Sequence, residues 1–263
     1  MVVAYAPKGN NRTSSQPPMI ETENISKHYG TGTVLNDITL RMERGTATVI
    51  IGPSGGGKST LLRIIMGLVK PDCGRVRIDG ELLTPGNALT LRRKMGYVIQ
   101  EGGLFPHLTA HENVSLMARY LQRDEGWIKG RVTELAQMAK LPEEALHRYP
   151  VELSGGQRQR VSVMRALMLE PDILLMDEPL GALDPMIRYD LQGDLKGLFQ
   201  GMGKTVVMVT HDIGEAAYFG DTVVILNEGA IVQKGTIGEL VRNPKDPFVT
   251  SFIKAQRQEI ETL

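Results

Sequence analysis

Residues 52–59 read Gly52-Pro53-Ser54-Gly55-Gly56-Gly57-Lys58-Ser59, and nothing else in the chain restricts its fold so tightly. The run fits G-x-x-x-x-G-K-S/T, the pattern of a loop that wraps a polyphosphate. The β-branched run Thr46–Ile51 precedes it, and a helical stretch, Ser59–Leu68, comes after it. Glycines let backbone N–H groups converge on phosphate oxygens where a Cβ would collide or φ must be positive. The helix that the loop opens adds free N-terminal donors and the positive end of its dipole. In such a loop Lys58 reaches the β- and γ-phosphates, and the Ser59 hydroxyl takes Mg²⁺. Strand, loop and helix in this order predict an α/β chain with a mainly parallel sheet and a nucleotide phosphate as ligand.

The remaining pattern agrees with that class. Asp172–Met176 and Thr205–Val209 are almost continuously apolar, as strands covered on both faces of a parallel sheet are. Val76–Asp79 and Met95–Gln100 read as further strands. Ile20–Ser26 and Val34–Met42 read as an antiparallel pair. Thr222–Leu226 and Ala230–Gln233 form a predicted hairpin around Glu228-Gly229. From about residue 110 to 168 the strand signal vanishes. Leu116, Tyr120, Trp127, Val132, Leu135 and Met138 recur there at helical spacings, with Pro142 and Pro150 as breaks. The expected organisation is a flexible extension over residues 1–18 and one domain over 19–263. Within that domain a helical subdomain at about 102–168 is inserted in the α/β core, and a helical tail runs from about 247 to 263.

Thirty Lys and Arg balance thirty Asp and Glu. A neutral chain has no overall pull toward nucleic acid, and no such partner is expected. The single cysteine, Cys73, rules out an internal disulfide and reads as an incidental turn residue in Pro71-Asp72-Cys73-Gly74. No stretch approaches the roughly 18 apolar residues that span a bilayer, and residues 1–18 lack the apolar core of a secretory signal. A soluble chain is expected, with any membrane role exercised through partners.

The apolar run Ile173–Met176 ends in Asp177-Glu178. In an open parallel sheet, ligands bind beyond the carboxyl ends of the strands. Asp177 would face Mg²⁺ through water, and Glu178 would polarise an attacking water as general base. His211 closes Thr205–Thr210 in the same way. A neutral imidazole there would bond the γ-phosphate and orient Glu178. A pair of acids can simply end a strand in solvent, and a lone histidine is often structural; the phosphate loop upstream tips both toward chemistry.

Upstream of Asp177 stands Leu153-Ser154-Gly155-Gly156-Gln157. Phosphate loop, this pentapeptide, the acid-ended strand and the histidine occur in one order, and with them the sequence resembles the ABC transporter ATPases from about Met19 to its C-terminus. The resemblance implies hydrolysis of ATP with Mg²⁺. It implies that Gly52, Pro53, Ser54, Gly55, Gly56, Gly57, Lys58, Ser59 and Thr60 hold the phosphates. Tyr29 would stack on adenine. Gln100 would sense Mg²⁺ and water and link to a transmembrane partner. Gly181-Ala182-Leu183-Asp184 would form the D-loop, with Asp184 in the nucleotide site. Ser154, Gly155, Gly156 and Gln157, opening a helix over Gln157–Leu169, would complete the phosphate site of an opposite subunit. The resemblance further implies a homodimer, or a pseudo-dimer with a paralogous ATPase, around two ATP. It would sit at the cytoplasmic face of the cell membrane on integral-membrane permease subunits, supplied indirectly by a solute-binding protein. Gly56 and Gly181 stand where the family often has Ser.

Leu104-Phe105-Pro106-His107 and Met176–Pro185 are similar to bacterial importers. Arg92–Gln100 and Phe248–Arg257 most resemble the glycine betaine, carnitine and choline (osmoprotectant) importer ATPases. Many importer ATPases carry an additional regulatory domain; with the sequence ending at Leu263, such regulation is expected to be absent or on another chain. A lipid or lipoprotein transport ATPase is the alternative, sharing all the ATP chemistry and differing only around Gln100–Ala110. A DNA-repair or translation ATPase fits less well: one phosphate loop is present, and residues 110–150 are too short for a long coiled coil. A P-loop kinase or GTPase would lack the pentapeptide.

Overall fold

The computed structural model describes residues 17–100, 102–181 and 183–261. Most of the expected N-terminal extension, Ala182 and the last two residues lie outside the described residues.

The chain opens with an antiparallel hairpin, β1 (Ile20–Tyr29) and β2 (Gly32–Met42), turned by Gly30-Thr31 with Gly30 at φ 57°. Then come β3 (Ala47–Ile51), the glycine-rich loop, α1 (Lys58–Ile65), β4 (Cys73–Ile78), β5 (Glu81–Leu82), α2 (Ala88–Arg92) and β6 (Met95–Val98). Helices α3 (Ala110–Tyr120), α4 (Glu125–Met138) and α5 (Gly155–Leu167) are next, with two short 3-10 turns between the last two. The remainder alternates: β7 (Ile173–Asp177), α6 (Pro185–Met202), β8 (Thr205–Thr210), α7 (Ile213–Phe219), β9 (Thr222–Asn227), β10 (Ala230–Gly235), α8 (Ile237–Arg242) and α9 (Pro247–Glu261).

The strands form two sheets. One has the order β2-β1-β4-β5 and is antiparallel. The other has the order β10-β9-β3-β8-β7-β6; it is parallel except for β10 at its edge. This mixed layering is the expected α/β architecture, with the antiparallel piece at the N-terminal end.

Alternation along the parallel strands divides two cores. Val49, Ile51, Leu174, Met176, Val206, Met208, Val223 and Ile225 face the helices α3 to α7. Ile50, Ile173, Leu175, Val207, Val209, Val224 and Leu226 face α1 and the antiparallel sheet. Burial on both faces is why these strands read as unbroken apolar runs.

Several boundaries differ from expectation, each for a local reason. Helix α1 stops at Ile65 rather than Leu68. Gly67, at φ 66°, donates to Ile64 O and Leu68 donates to Arg63 O, a left-handed cap that closes the last turn. Cys73 is not in a turn: it is exposed and opens β4 opposite Ser26. Strand β6 ends at Val98, which puts Gln100 in the turn beyond it. Helix α5 begins at Gly155, two residues before the expected start, because Ser154 caps it.

Candidate functional site

The site assembles where β3, β6, β7 and β8 end side by side. β3 leads into the loop. A Cβ on Gly52 would lie 2.0 Å from Leu226 O, and one on Gly57 would lie 2.5 Å from Val34 O. Gly57 also has φ 89° as the N-cap of α1. Close approach and left-handed backbone therefore require glycine at both positions. Gly55 shares the positive φ, at the exposed tip beside Ser54. Gly56 donates to Pro53 O. Ser59 and Thr60 are half-buried on the first turn of α1.

Lys58 is buried, and its ammonium donates to Gly52 O and Pro53 O, each at 2.8 Å. Burial holds its pKa below the usual lysine value, while the carboxylates of Glu178 and Asp177 oppose that shift. The cation thus lies under the loop, where a phosphate would draw it outward.

Strand β7 delivers the acids. Asp177 is buried; the Ser59 hydroxyl donates to its Oδ1 at 2.7 Å, and the Tyr97 hydroxyl donates to its Oδ2 at 3.3 Å. Glu178 leaves the strand at φ 44°, a rare conformation for a side-chain-bearing residue, fixed by its N–H donating to Val209 O. That turn swings its carboxylate to Gln100 Nε2 at 3.5 Å and to His211 Nδ1 at 3.3 Å. Two clusters result on adjacent residues of one strand end, Ser59–Asp177–Tyr97 and Gln100–Glu178–His211, with the charges of both carboxylates acting on Lys58.

The other candidates stand apart. Ser154 is exposed and caps α5: its Oγ accepts from Gln157 N, and its N–H donates to Gln157 Oε1. A Cβ on Gly156 would lie 2.6 Å from Ile187 Cγ2, so that side chain would have to shift, and one on Gly155 would lie 3.2 Å from Leu183 Cδ2. Asp184 caps α6 through Ile187 N at 3.0 Å. Tyr29 is 54% exposed at the hairpin tip. Among the described residues no hydrogen bond joins Ser154–Gln157, Asp184 or Tyr29 to the two clusters.

Sequence reasoning missed Tyr97 and Arg188. Tyr97 lies on β6 opposite Leu175, and burial followed by the Asp177 charge pushes its hydroxyl up to about 12, so it stays protonated as a donor. Its signal was weak, a polar-tipped aromatic near a strand end. Arg188 on α6 donates to Leu183 O at 3.5 Å and to Asp212 Oδ2 at 3.3 Å, tying the segment before α6 to the turn after His211. Nothing in the local pattern marks it.

For a divalent cation, Ser59 Oγ and the Asp177 carboxylate are hard oxygen donors already within 2.7 Å of each other. That pair suits Mg²⁺, which takes one or two protein oxygens and completes its shell with water and phosphate.

A family model described as ABC transporter matches residues 35–181. The choline transport ATP-binding protein OpuBA of Bacillus subtilis is 46% identical over 240 residues, covering 91% of this chain and 63% of that protein. The glycine betaine/carnitine/choline transport ATP-binding protein OpuCA of the same organism is 47% identical, with the same coverage. The osmoprotectant import ATP-binding protein OsmV of Salmonella typhimurium is 41% identical, over 91% of this chain and 64% of its own length. The chain thus spans less than two thirds of these relatives. Among solved structures, the dimeric ABC transporter cassette MJ0796 superposes with a TM-score of 0.76 at 39% identity, over 83% of this chain and 99% of that one. The phosphate loop, the capped pentapeptide helix and the acid-ended strand lie on a fold shared with solved cassettes, and the chain belongs to the ABC transporter family as one of its ATP-binding cassettes.

Proposed function

We propose that this chain is the ATP-hydrolysing subunit of a bacterial importer for quaternary-amine osmoprotectants. Glu178 carries the reading: it stands between Gln100 and His211, one residue beyond the Asp177–Ser59 pair. Loop N–H groups and Lys58 bind the β- and γ-phosphates of ATP, and Tyr29 stacks on its adenine. Mg²⁺, held by Ser59 and by Asp177 through water, neutralises charge on those phosphates. Glu178 accepts a proton from the attacking water, with Gln100 and His211 fixing its carboxylate and His211 reaching the γ-phosphate.

Ser154, Gly155, Gly156 and Gln157 serve the ATP of an opposite subunit, along with Asp184. Ser154 is exposed and unconnected to its own chain's phosphate loop, which supports that role. The relative MJ0796 is described as dimeric, and a second structure of it as a post-hydrolysis state bound to ADP and Pi. ATP then closes a dimer and hydrolysis opens it. Residues 19–263 work as one ATPase domain, with a helical subdomain at about 102–168 inserted in the α/β core and the Gln100–Ala110 segment facing the permease. None of the helices among the described residues is long and apolar enough to cross a membrane, so the reading places the chain peripherally, on the cytoplasmic face of separate permease subunits. The cargo assignment rests on the named osmoprotectant relatives.

One reconstitution tests both levels. In liposomes with the native permease and binding protein, betaine, choline or carnitine should stimulate hydrolysis. Glu178→Gln should keep ATP binding and lose turnover by about a hundredfold or more. Near-normal turnover would remove Glu178 as the base. Stimulation by phospholipid-loaded partners alone would replace the cargo assignment with the lipid reading.

A further inference from the structure

The base end of the nucleotide site has a support that the phosphate chemistry does not require. Lys27 Nζ stands over the Tyr29 ring, 5.3 Å from its centroid. The lysine is itself tied down: its ammonium donates to Asp72 Oδ1 at 2.9 Å, and its side chain is only 14% exposed. Asp72 precedes β4. The β1–β4 ladder ends at Ser26 and Cys73, and Asp72 continues it by one rung. Its N–H donates to Ser26 O at 2.9 Å, and its Oδ2 accepts from His28 N at 2.7 Å. One carboxylate therefore fixes both the strand end that carries Tyr29 and the cation that covers its ring.

The hairpin bearing Tyr29 also leans on the phosphate loop, because Val34 O closes over Gly57. Fixing Tyr29 thus fixes it relative to the phosphates. An exposed aromatic ring normally samples several rotamers, and ordering it on binding costs affinity. An ammonium on one face holds the ring and draws π density from it, which favours stacking of an electron-rich base on the other face.

We propose that Lys27, anchored by Asp72, is a positioning residue for the nucleotide base, holding the Tyr29 ring with one face covered and the other presented to adenine. This rests on the reading of Tyr29 as the adenine platform. Arg at 27 keeps the cation over the ring, whereas Met keeps the stem and removes the charge.

The test is calorimetric binding of ATP and of inorganic tripolyphosphate to the isolated chain, with Tyr29→Ala as the reference for stacking. Lys27→Met should raise the Kd for ATP about two- to fivefold and leave tripolyphosphate unchanged. Lys27→Arg should bind like the parent, and Asp72→Asn should shift ATP in the same direction as Lys27→Met. Equal weakening of both ligands by Lys27→Met would mean simple attraction of phosphate and would overturn the proposal. No change in Lys27→Met while Tyr29→Ala weakens ATP alone would overturn it and leave stacking intact. No change in Tyr29→Ala would remove the platform, and the proposal with it.

Discussion

Asp177 has two carboxylate oxygens and two donors, one on each. The Ser59 hydroxyl donates to Oδ1, and the Tyr97 hydroxyl holds the second oxygen, Oδ2. Tyr97→Phe removes that bond without changing volume, so Asp177 gains rotational freedom. At 3.3 Å the bond is long, and a cost of about 1 kcal/mol corresponds to roughly fivefold. Half-maximal ATPase should then need about five times more Mg²⁺, while ATP binding in EDTA stays unchanged. An unchanged Mg²⁺ requirement would show that Ser59 alone orients the carboxylate. A second residue, Glu215, makes a pH prediction. It is buried, one of its oxygens has no partner, and burial raises its pKa above 4.5. The folded chain therefore holds this proton more tightly than the unfolded chain. Its contribution to stability is full below 4.5 and is lost as pH rises through the raised folded value. Glu215→Gln keeps the shape and removes the charge. Relative to the parent, its melting temperature should rise by about 2 °C at pH 8 and not at pH 4. Equal shifts at both pH values would mean that packing, not ionisation, sets the difference.

At the scale of elements, legibility tracked periodicity. The buried parallel strands read correctly because Ile173–Met176 and Thr205–Val209 have no polar face to confuse the pattern. The glycines of residues 52–57 stood out in the sequence as a motif, but the contacts that require Gly52 and Gly57 come from Leu226 and Val34, far away along the chain. β4 was legible only from Val76 because its first three residues are exposed and gain their strand character from pairing with β1. Contacts that join distant elements, such as Tyr97 to Asp177 or Arg188 to Asp212, left no local trace. The end of α1 was overrun because Gly67 reads as a tolerated helical glycine until its φ is known. That end yields a prediction. A Cβ on Gly67 would meet Leu83 and Ala88 at 3.4 and 3.5 Å, ordinary contact distances. Gly67→Ala should therefore cost only its left-handed backbone, about 1–2 kcal/mol of stability in denaturant unfolding. Gly67→Asn should cost less, since asparagine tolerates that region. If Ala and Asn cost the same, the loss would come from crowding instead.

At the scale of the whole molecule, no hydrogen bond among the described residues joins the Ser154–Gln157 helix start to the phosphate-loop residues, as the proposed division of each site between two subunits requires. Asp177 and Glu178 lie at the end of β7, and Lys58 opens α1 after the phosphate loop. Ser154 is exposed at the start of α5 and, among the described residues, bonds only within its own helix, where it forms the capping box with Gln157. If each ATP is held by Lys58 of one copy and Ser154 of another, the two lesions should complement each other. Lys58→Ala alone ruins both sites of a dimer, and so does Ser154→Arg alone. A mixed dimer concentrates both lesions in one site and leaves the second intact. Coexpressed in equal amounts, random pairing makes half the dimers mixed, each with one good site, so activity should recover to about a quarter of the parent. Nucleotide binding by isolated Ser154→Arg should stay near normal, because that residue is absent from its own chain's phosphate loop. Two chains each complete in themselves would show no recovery at any ratio, and that result would return every residue of the site to a single subunit.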